Sequence, residues 1–208
     1  MVIGSVAGWW YRFSSLAVLL IVLFQPTVLL AVPTQPIPLA KGVLLIASEQ
    51  LKDSRFSKSV VLLIHYGPEA ASGLVINHPT DLELSKVMPQ AGAIRPEINT
   101  VYWGGPVDSN GAYILIRTSR THSKLHHVFD DLYTAQGMRT LMHVVGLLAP
   151  EEDLRAFAGF SGWGPGQLDA EVAHGDWYVA PADIESVYTQ QPEGLWEKLI
   201  KLWAGQWI

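Results

Sequence analysis

Two short apolar runs rich in β-branched residues, 42–47 and 59–66, set the pattern of this chain. Each is apolar at odd and even positions alike, as expected of strands buried on both faces at the centre of a sheet. Between them Asp53, Ser54 and Arg55 are polar and Phe56 is aromatic, the make-up of a connection pinned to the core by one ring. Residues 74–76 form a third predicted strand, closed by Asn77, His78 and Pro79. Thr80 or Asp81 then caps a short helix that runs through Met88 and ends at Pro89. Residues 90–99 read as a surface loop. A strand over 101–103 halts at Gly104-Gly105-Pro106, and the turn chemistry of Ser109-Asn110-Gly111 predicts that it forms a hairpin with a strand over 112–117.

Farther along, 127–133 predicts a strand and Thr134 a helix cap. The helix covers 135–148 and carries Met138, Leu141, Met142 and Val145 on one face. Residues 155–160 return to the strand pattern. Residues 167–174 predict a helix with Pro165 near its start and Gly175 at its end. A short strand over 177–180 and a final helix over 192–204 complete the body. Leu195, Trp196, Leu199, Leu202 and Trp203 share one side of that helix, with Glu197, Lys198 and Lys201 away from it. This stripe suits docking on the domain better than lying on a membrane, because only two cations line its polar face. Hairpins without regular βαβ alternation place the body in the α+β class.

Ahead of this body, residues 13–24 are uniformly apolar or small, the length of a signal-peptide core, with Trp9, Trp10, Tyr11 and Arg12 before it and Gln25-Pro26 after it. Ala31 supplies a small residue for cleavage. Residues 1–31 are therefore read as a signal peptide or, because the apolar stretch 13–32 is long enough to cross a bilayer, as an N-terminal membrane anchor. Pro33, Pro36 and Pro38 make 32–40 a Pro-rich, extended linker. Residues 41–208 leave room for one domain. This organisation predicts a periplasmic or membrane-anchored location in the cell envelope. The alternative is a cytoplasmic protein whose leader is a misassigned start.

At 49% hydrophobic and 16% charged, the chain is too apolar for disorder. All 19 acidic residues lie beyond position 40 with 13 of the 14 Lys and Arg, so the body carries a formal charge of −6. An acidic body without a basic run lacks the electrostatic term behind most nucleic-acid affinity, and no nucleic acid is expected as partner. The absence of cysteine excludes disulfides and thiolate zinc sites. Nothing in the chain calls for a cofactor.

The segment Gly159-Phe160-Ser161-Gly162-Trp163-Gly164-Pro165-Gly166-Gln167-Leu168 concentrates the candidate chemistry. Its glycines permit close backbone approach ahead of a helix whose first N–H groups attract anions, so a phosphate or carboxylate would fit there. The same residues also make a tight strand-to-helix turn pinned by a buried Trp163, with Gln167 bonding loop carbonyls. The segment is neither a phosphate-binding loop nor a dinucleotide fingerprint. Ser161 lies between Gly159 and Gly162, but Trp163 stands where a nucleophile elbow needs glycine. A hydrolase built on Ser161 would need His65 or His78 as base and a carboxylate such as Asp108 brought close in space. His122 and His126 have i, i+4 spacing with His127 adjacent, but the helical glutamate motif is missing and a solvated loop is expected rather than a metal site. Asn77-His78-Pro79 and Gly104-Gly105-Pro106 sit at strand ends, as turns, cleft walls or both. The expected ligand-binding set is Asn77, His78, Gly104, Gly105, Ser161, Gly162, Trp163, Gly164 and Gln167. Asn77, Gly104-Gly105 and 162–167 are expected to converge on one pocket.

Four ordered segments, residues 41–47 with Phe56, residues 73–79, residues 103–107, and residues 159–168 followed by Glu171 and Trp177, resemble the YqgE/AlgH family of small bacterial proteins. The match in order and spacing runs from Lys41 to about Leu199. The resemblance implies a single compact α+β domain with a mixed, partly barrel-like sheet flanked by helices. It implies no established activity and transfers no catalytic residue, although one member is linked by name to the regulation of alginate synthesis. Family members start near the equivalent of Lys41 and look cytoplasmic, whereas this chain adds a leader, and His78 stands where the family commonly has Arg. The leading expectation is a non-catalytic binding or accessory domain in the cell envelope that recognises a small anionic ligand or a protein partner. The alternatives are a hydrolase using Ser161 or His78, and a cytoplasmic regulatory protein.

Overall fold

The computed structural model describes residues 37–91, 94–120 and 123–203. The expected leader 1–31 and residues 32–36 of the expected linker lie outside the described residues. The strands are β1 (Val43–Ala47), β2 (Val60–Tyr66), β3 (Ala71–Val75), β4 (Pro79–Glu83), β5 (Thr100–Trp103), β6 (Val107–Arg117), β7 (His126–Phe129), β8 (Leu132–Gln136), β9 (Asp153–Trp163) and β10 (Trp177–Pro181). The helices are α1 (Leu84–Val87), α2 (Met138–Leu147), α3 (Gln167–His174), α4 (Ile184–Val187) and α5 (Leu195–Trp203). The fold is α+β, with a curled half-barrel sheet and helices around it.

The sheet runs β10-β1-β2-β3-β9-β6-β8-β7, with β5 also on β9 and β4 on β5. All pairs are antiparallel except β5 with β9. The uniformly apolar β1 is buried throughout, as its pattern demands. In β6, Leu115 turns into the core beneath β1–β3, whereas Ile114 and Ile116 turn to a second core with Leu141 and Val144 of α2. Helix α5 docks as expected. Leu195, Trp196 and Leu199 are buried, and Trp196 Nε1 donates to Ala47 O at 2.7 Å, while Leu202 is exposed. The helix begins at Leu195, after a 3-10 turn over Pro192–Gly194.

Four local expectations are corrected, three of them by strand pairing. Pro79–Glu83 is a strand, because Thr80 Oγ1 donates to Val101 O at 2.6 Å across to β5 instead of capping a helix. Thr134 and Ala135 belong to β8, opposite Leu115 and Ile114, and α2 starts only at Met138 with Leu141 and Val144 as its buried positions. The strand expected over 127–133 is a hairpin of β7 and β8, turning at Asp130 with φ of 43°. Residues 90–99, expected as a plain loop, carry the end of one 3-10 turn, Pro89–Ala91, and the whole of another, Pro96–Ile98, with Ile98 buried.

The fifth correction shapes the site. The hairpin expected between 101–103 and 112–117 does not form, because β5 and β6 lie on opposite edges of β9. Ala156, Phe157 and Ala158 of β9 face Val101, Tyr102 and Trp103 on one edge and Ile114, Tyr113 and Ala112 on the other. Gly104 extends the first edge: its N–H donates to Ala158 O at 2.9 Å and its carbonyl accepts Val75 N–H at 3.0 Å. Gly105-Pro106 then crosses β9. A Cβ on Gly105 would sit 2.3 Å from the Phe160 carbonyl carbon, and one on Gly159 would sit 2.5 Å from Gly105 O. Only two bare backbones pass this closely.

Candidate functional site

Beside this crossing opens a cleft of about 310 Å³. One wall is the β1–β2 connection, with Lys52, Arg55 and Phe56. The second is Pro106-Val107, directly after the crossing, and the third is Gly162, Trp163, Gln167 and Glu171, closed by Trp177. Asp53 caps the 3-10 turn over Ser54–Phe56 by accepting Arg55 N–H, and this turn drives Phe56 into the aromatic floor. Phe56 lies 6.5 Å from Trp163 in a stacked arrangement and 5.6 Å from Trp177 edge-on, while Trp163 and Trp177 meet edge-on at 6.1 Å. Such geometries add about 0.5–1.5 kcal/mol per pair beyond area burial.

Glu171 organises the site. Its Oε2 accepts Trp163 Nε1–H and Trp177 Nε1–H, both at 2.8 Å, and its Oε1 accepts Gln167 Nε2–H at 2.9 Å. A carboxylate with three N–H donors and, among the described residues, no cation partner is satisfied by charge-assisted bonds alone. Local geometry delivers each donor. Gln167 is one turn before Glu171 on α3, and Gly175 in the left-handed region ends that helix and returns the chain to Trp177. Gln167 also accepts Gly164 N–H through Oε1 at 3.1 Å, closing the turn.

The charges around the cleft nearly balance. Arg55 and Asp53 form a bidentate pair with contacts of 3.0 and 2.7 Å, and the Arg55 hydrogen bond lowers the Asp53 pKa from its ordinary value. His174 Nδ1 and Asp176 Oδ1 are 2.9 Å apart, and Lys52 is on the rim. The first turn of α3 already holds Asp169, which accepts Tyr66 O–H at 2.7 Å. A helix end carrying its own carboxylate offers less to an incoming anion.

The residues expected to converge fall in different places. Gly162, Trp163 and Gln167 line the cleft, and Gly104-Gly105 lead into its Pro106-Val107 wall. Asn77 does not reach it. Its Oδ1 accepts Val60 N–H at 2.7 Å and its Nδ2 donates to Lys58 O at 2.9 Å, fastening the end of β3 to the start of β2. His78 stacks on Trp103 at 5.8 Å, and Trp103 packs on Phe56 at 5.9 Å, so His78 reaches the floor only through an intervening ring. Burial lowers its pKa, partly offset by the Lys58 backbone. Ser161 is 0% exposed and donates to Gly104 O at 3.1 Å, holding the crossing; among the described residues no histidine or carboxylate hydrogen-bonds it. His65 lines a different cavity, and Asp108 accepts Tyr113 O–H at 3.3 Å. His122 lies outside the described residues, and His127 packs edge-on against Tyr133. Among the described residues no group of three His, Asp or Glu is placed to hold a metal.

Lys52, Arg55 and Val107 also line the cleft, although the expected ligand-binding set did not include them. The one available signal was the i, i+4 pair Gln167/Glu171, flanked by two tryptophans.

Comparison with known proteins matches residues 44–208 to the AlgH-like family. A UPF0301 protein of Streptomyces coelicolor is 33% identical over 167 residues, covering 79% of this chain and 86% of that protein. A UPF0301 protein of Cytophaga hutchinsonii is 31% identical over 171 residues, covering 81% and 92%. The solution structure of the AlgH protein from Pseudomonas aeruginosa superimposes with a TM-score of 0.65 at 26% identity, over 80% of this chain and 90% of that one. A Corynebacterium diphtheriae crystal structure, at TM-score 0.67 and 23% identity over 81% and 89%, shares the fold.

Proposed function

The chain belongs to the AlgH-like family, and on that footing we propose that its domain is a non-catalytic binding module of the cell envelope that grips a segment of a protein partner in the aromatic cleft. The observation that carries this reading is the Glu171 clamp. By fixing both indole N–H edges it holds Trp163 and Trp177 in one geometry beside the cleft. A wall ordered in advance lowers the entropic cost of binding. The near-cancelling charges of the rim favour an apolar or hydrogen-bonding segment over a small anion at this place. Burial of Ser161 in the crossing weighs against the hydrolase alternative at that residue.

Val107, 40% exposed on the cleft wall, is the position to probe. A photo-crosslinking residue placed there should give a discrete adduct in cells, and the same residue at exposed Leu82 on β4 should not. Equal adducts from both positions, or none from Val107, would remove the cleft from consideration. The envelope location rests on residues 1–31 acting as signal peptide or anchor. It is tested by fractionating cells and determining the mature N-terminus; full-length chain in the soluble cytoplasmic fraction argues for the regulator alternative. Among the described residues no helix is long and apolar enough to cross a membrane.

A further inference from the structure

A second cleft, of about 550 Å³, opens where β5 and the start of β9 meet the segment after α4. At its floor is Arg155, 6% exposed. Its Nη1 donates to Ile76 O at 3.1 Å and its Nη2 to Thr189 O at 2.5 Å, and its Cζ stands 4.5 Å over the Tyr102 ring and 5.7 Å from that of Tyr188. No carboxylate bonds it: among the described residues Arg155 has no ion pair. Two carbonyls and an aromatic face compensate a buried guanidinium only in part, and among the described residues three of its five N–H groups have no protein acceptor. Burial pushes its pKa down, consistent with a cation short of counter-charge. Arg95, at the same cleft, is likewise spent on carbonyls, those of Pro150 and Glu152, at 2.7 and 2.6 Å.

The walls carry the opposite sign. Glu97, Asp153 and Glu193 are exposed lining residues, none ion-paired with either arginine. The fields of Asp153 and Glu193 nonetheless reach Arg155 and Tyr102 respectively. A covered cation below and exposed carboxylates above repel a polyphosphate and complement a molecule with one negative and one positive end.

We infer that this cleft binds a small zwitterion of the amino-acid type, its carboxylate on the Arg155 guanidinium and its ammonium among Asp153, Glu193 and Glu97. The site is separate from the aromatic cleft and does not depend on the function proposed for it.

The test uses the full chain and the common L-amino acids as individual probes, with the amide of each binder, acetate and inorganic phosphate alongside. Ligand-observed NMR should find at least one amino acid binding saturably, and the Arg155 Nε–H resonance should shift as it is added. The amide and acetate should each bind at least roughly tenfold more weakly, one lacking the anion and the other the cation. Asp153→Asn with Glu193→Gln should weaken the amino acid roughly tenfold or more. Arg155→Lys, which loses the planar fork, should weaken it by at least as much. The idea is overturned if no amino acid binds up to about 10 mM, which would leave Arg155 a staple between Ile76 and Thr189. It is equally overturned if acetate or phosphate binds as tightly as the amino acid. Binding that leaves the Arg155 Nε–H unmoved, or that is lost with Val107→Glu but not with the Asp153/Glu193 pair, places the ligand elsewhere and also refutes it. Because the resonance is read in the unmodified protein, the answer does not depend on Arg155→Lys folding.

Discussion

Glu152, between α2 and β9, offers a stability prediction whose size and pH dependence both follow from its contacts. Its side chain meets donors only. Oε1 accepts from Thr118 Oγ1 and from Arg120 Nε at 2.8 Å, and Oε2 accepts from Arg120 Nη2 and from Ala149 N–H at 2.9 Å. Burial pushes its pKa up, but the Arg120 and Thr118 hydrogen bonds, the Ala149 amide and the Arg120 charge outweigh it and bring the group from 4.5 down to about 2. A folded-state pKa below the unfolded one means a contribution fully present above about pH 4.5 and lost as pH falls toward 2. The gap corresponds to about 3 kcal/mol at most. Glu152 is 4% exposed but lies at shallow depth under an Arg120 side chain that is 45% exposed, so solvent screening reduces the figure to about 2 kcal/mol. Glu152→Gln removes the charge and sets an NH₂ against two donors whichever way the amide is turned. Urea unfolding at neutral pH should show the variant about 2 kcal/mol less stable, a Tm loss of about 4–8 °C. The difference should shrink steadily between pH 4.5 and 2. A difference that stays constant down to pH 2, or none at pH 7, would refute the charge argument.

Glu171→Gln should destabilise the domain by about 1–3 kcal/mol, since the new NH₂ faces either Gln167 Nε2–H or, with the amide turned, both indole N–H groups, which share one oxygen; loss of the charge should move the Trp163 and Trp177 Nε–H resonances, and unchanged resonances would mean the clamp does not form in solution. Gly105→Ala should cost about 3 kcal/mol or more or prevent soluble expression, because its Cβ would lie 2.3 Å from the Phe160 carbonyl carbon at a φ of 148°. Gly166→Ala, also at positive φ but with open space around its Cβ, should cost only about 1 kcal/mol; comparable urea midpoints for the two variants would argue against the crossing.

Much of the scaffold was legible in the residues. β1, β2 and α3 follow from runs and caps that act within a few positions, and Gly175 stops α3 where a left-handed residue is required. The candidate site was legible in pieces. The 159–168 segment pointed to Gly162, Trp163 and Gln167, but Asn77 turned out to bond inward and His78 to stand one ring away. Arg155 read as one polar position in a strand. Only the packing of Tyr102, Ile76 and Thr189 around it makes it a buried cation.

What the sequence determined alone is therefore what short-range forces decide: where the chain is extended or helical, which faces are apolar, which family pattern it carries, and that its body is acidic and free of cysteine. Tertiary structure decided the choice of partners. Gly104-Gly105 is equally good chemistry for a hairpin turn and for a crossing, and the crossing occurs because β9 offers one edge to β5 and the other to β6. Thr80 and Thr134 are equally good caps and strand residues, and they became strand residues because β5 and β6 supply hydrogen-bond partners. Three donors around Glu171 and a buried guanidinium at Arg155 held by carbonyls belong to the same class of fact. Hydrogen bonding and desolvation depend on which groups end up adjacent in space, and separation along the chain does not specify that adjacency.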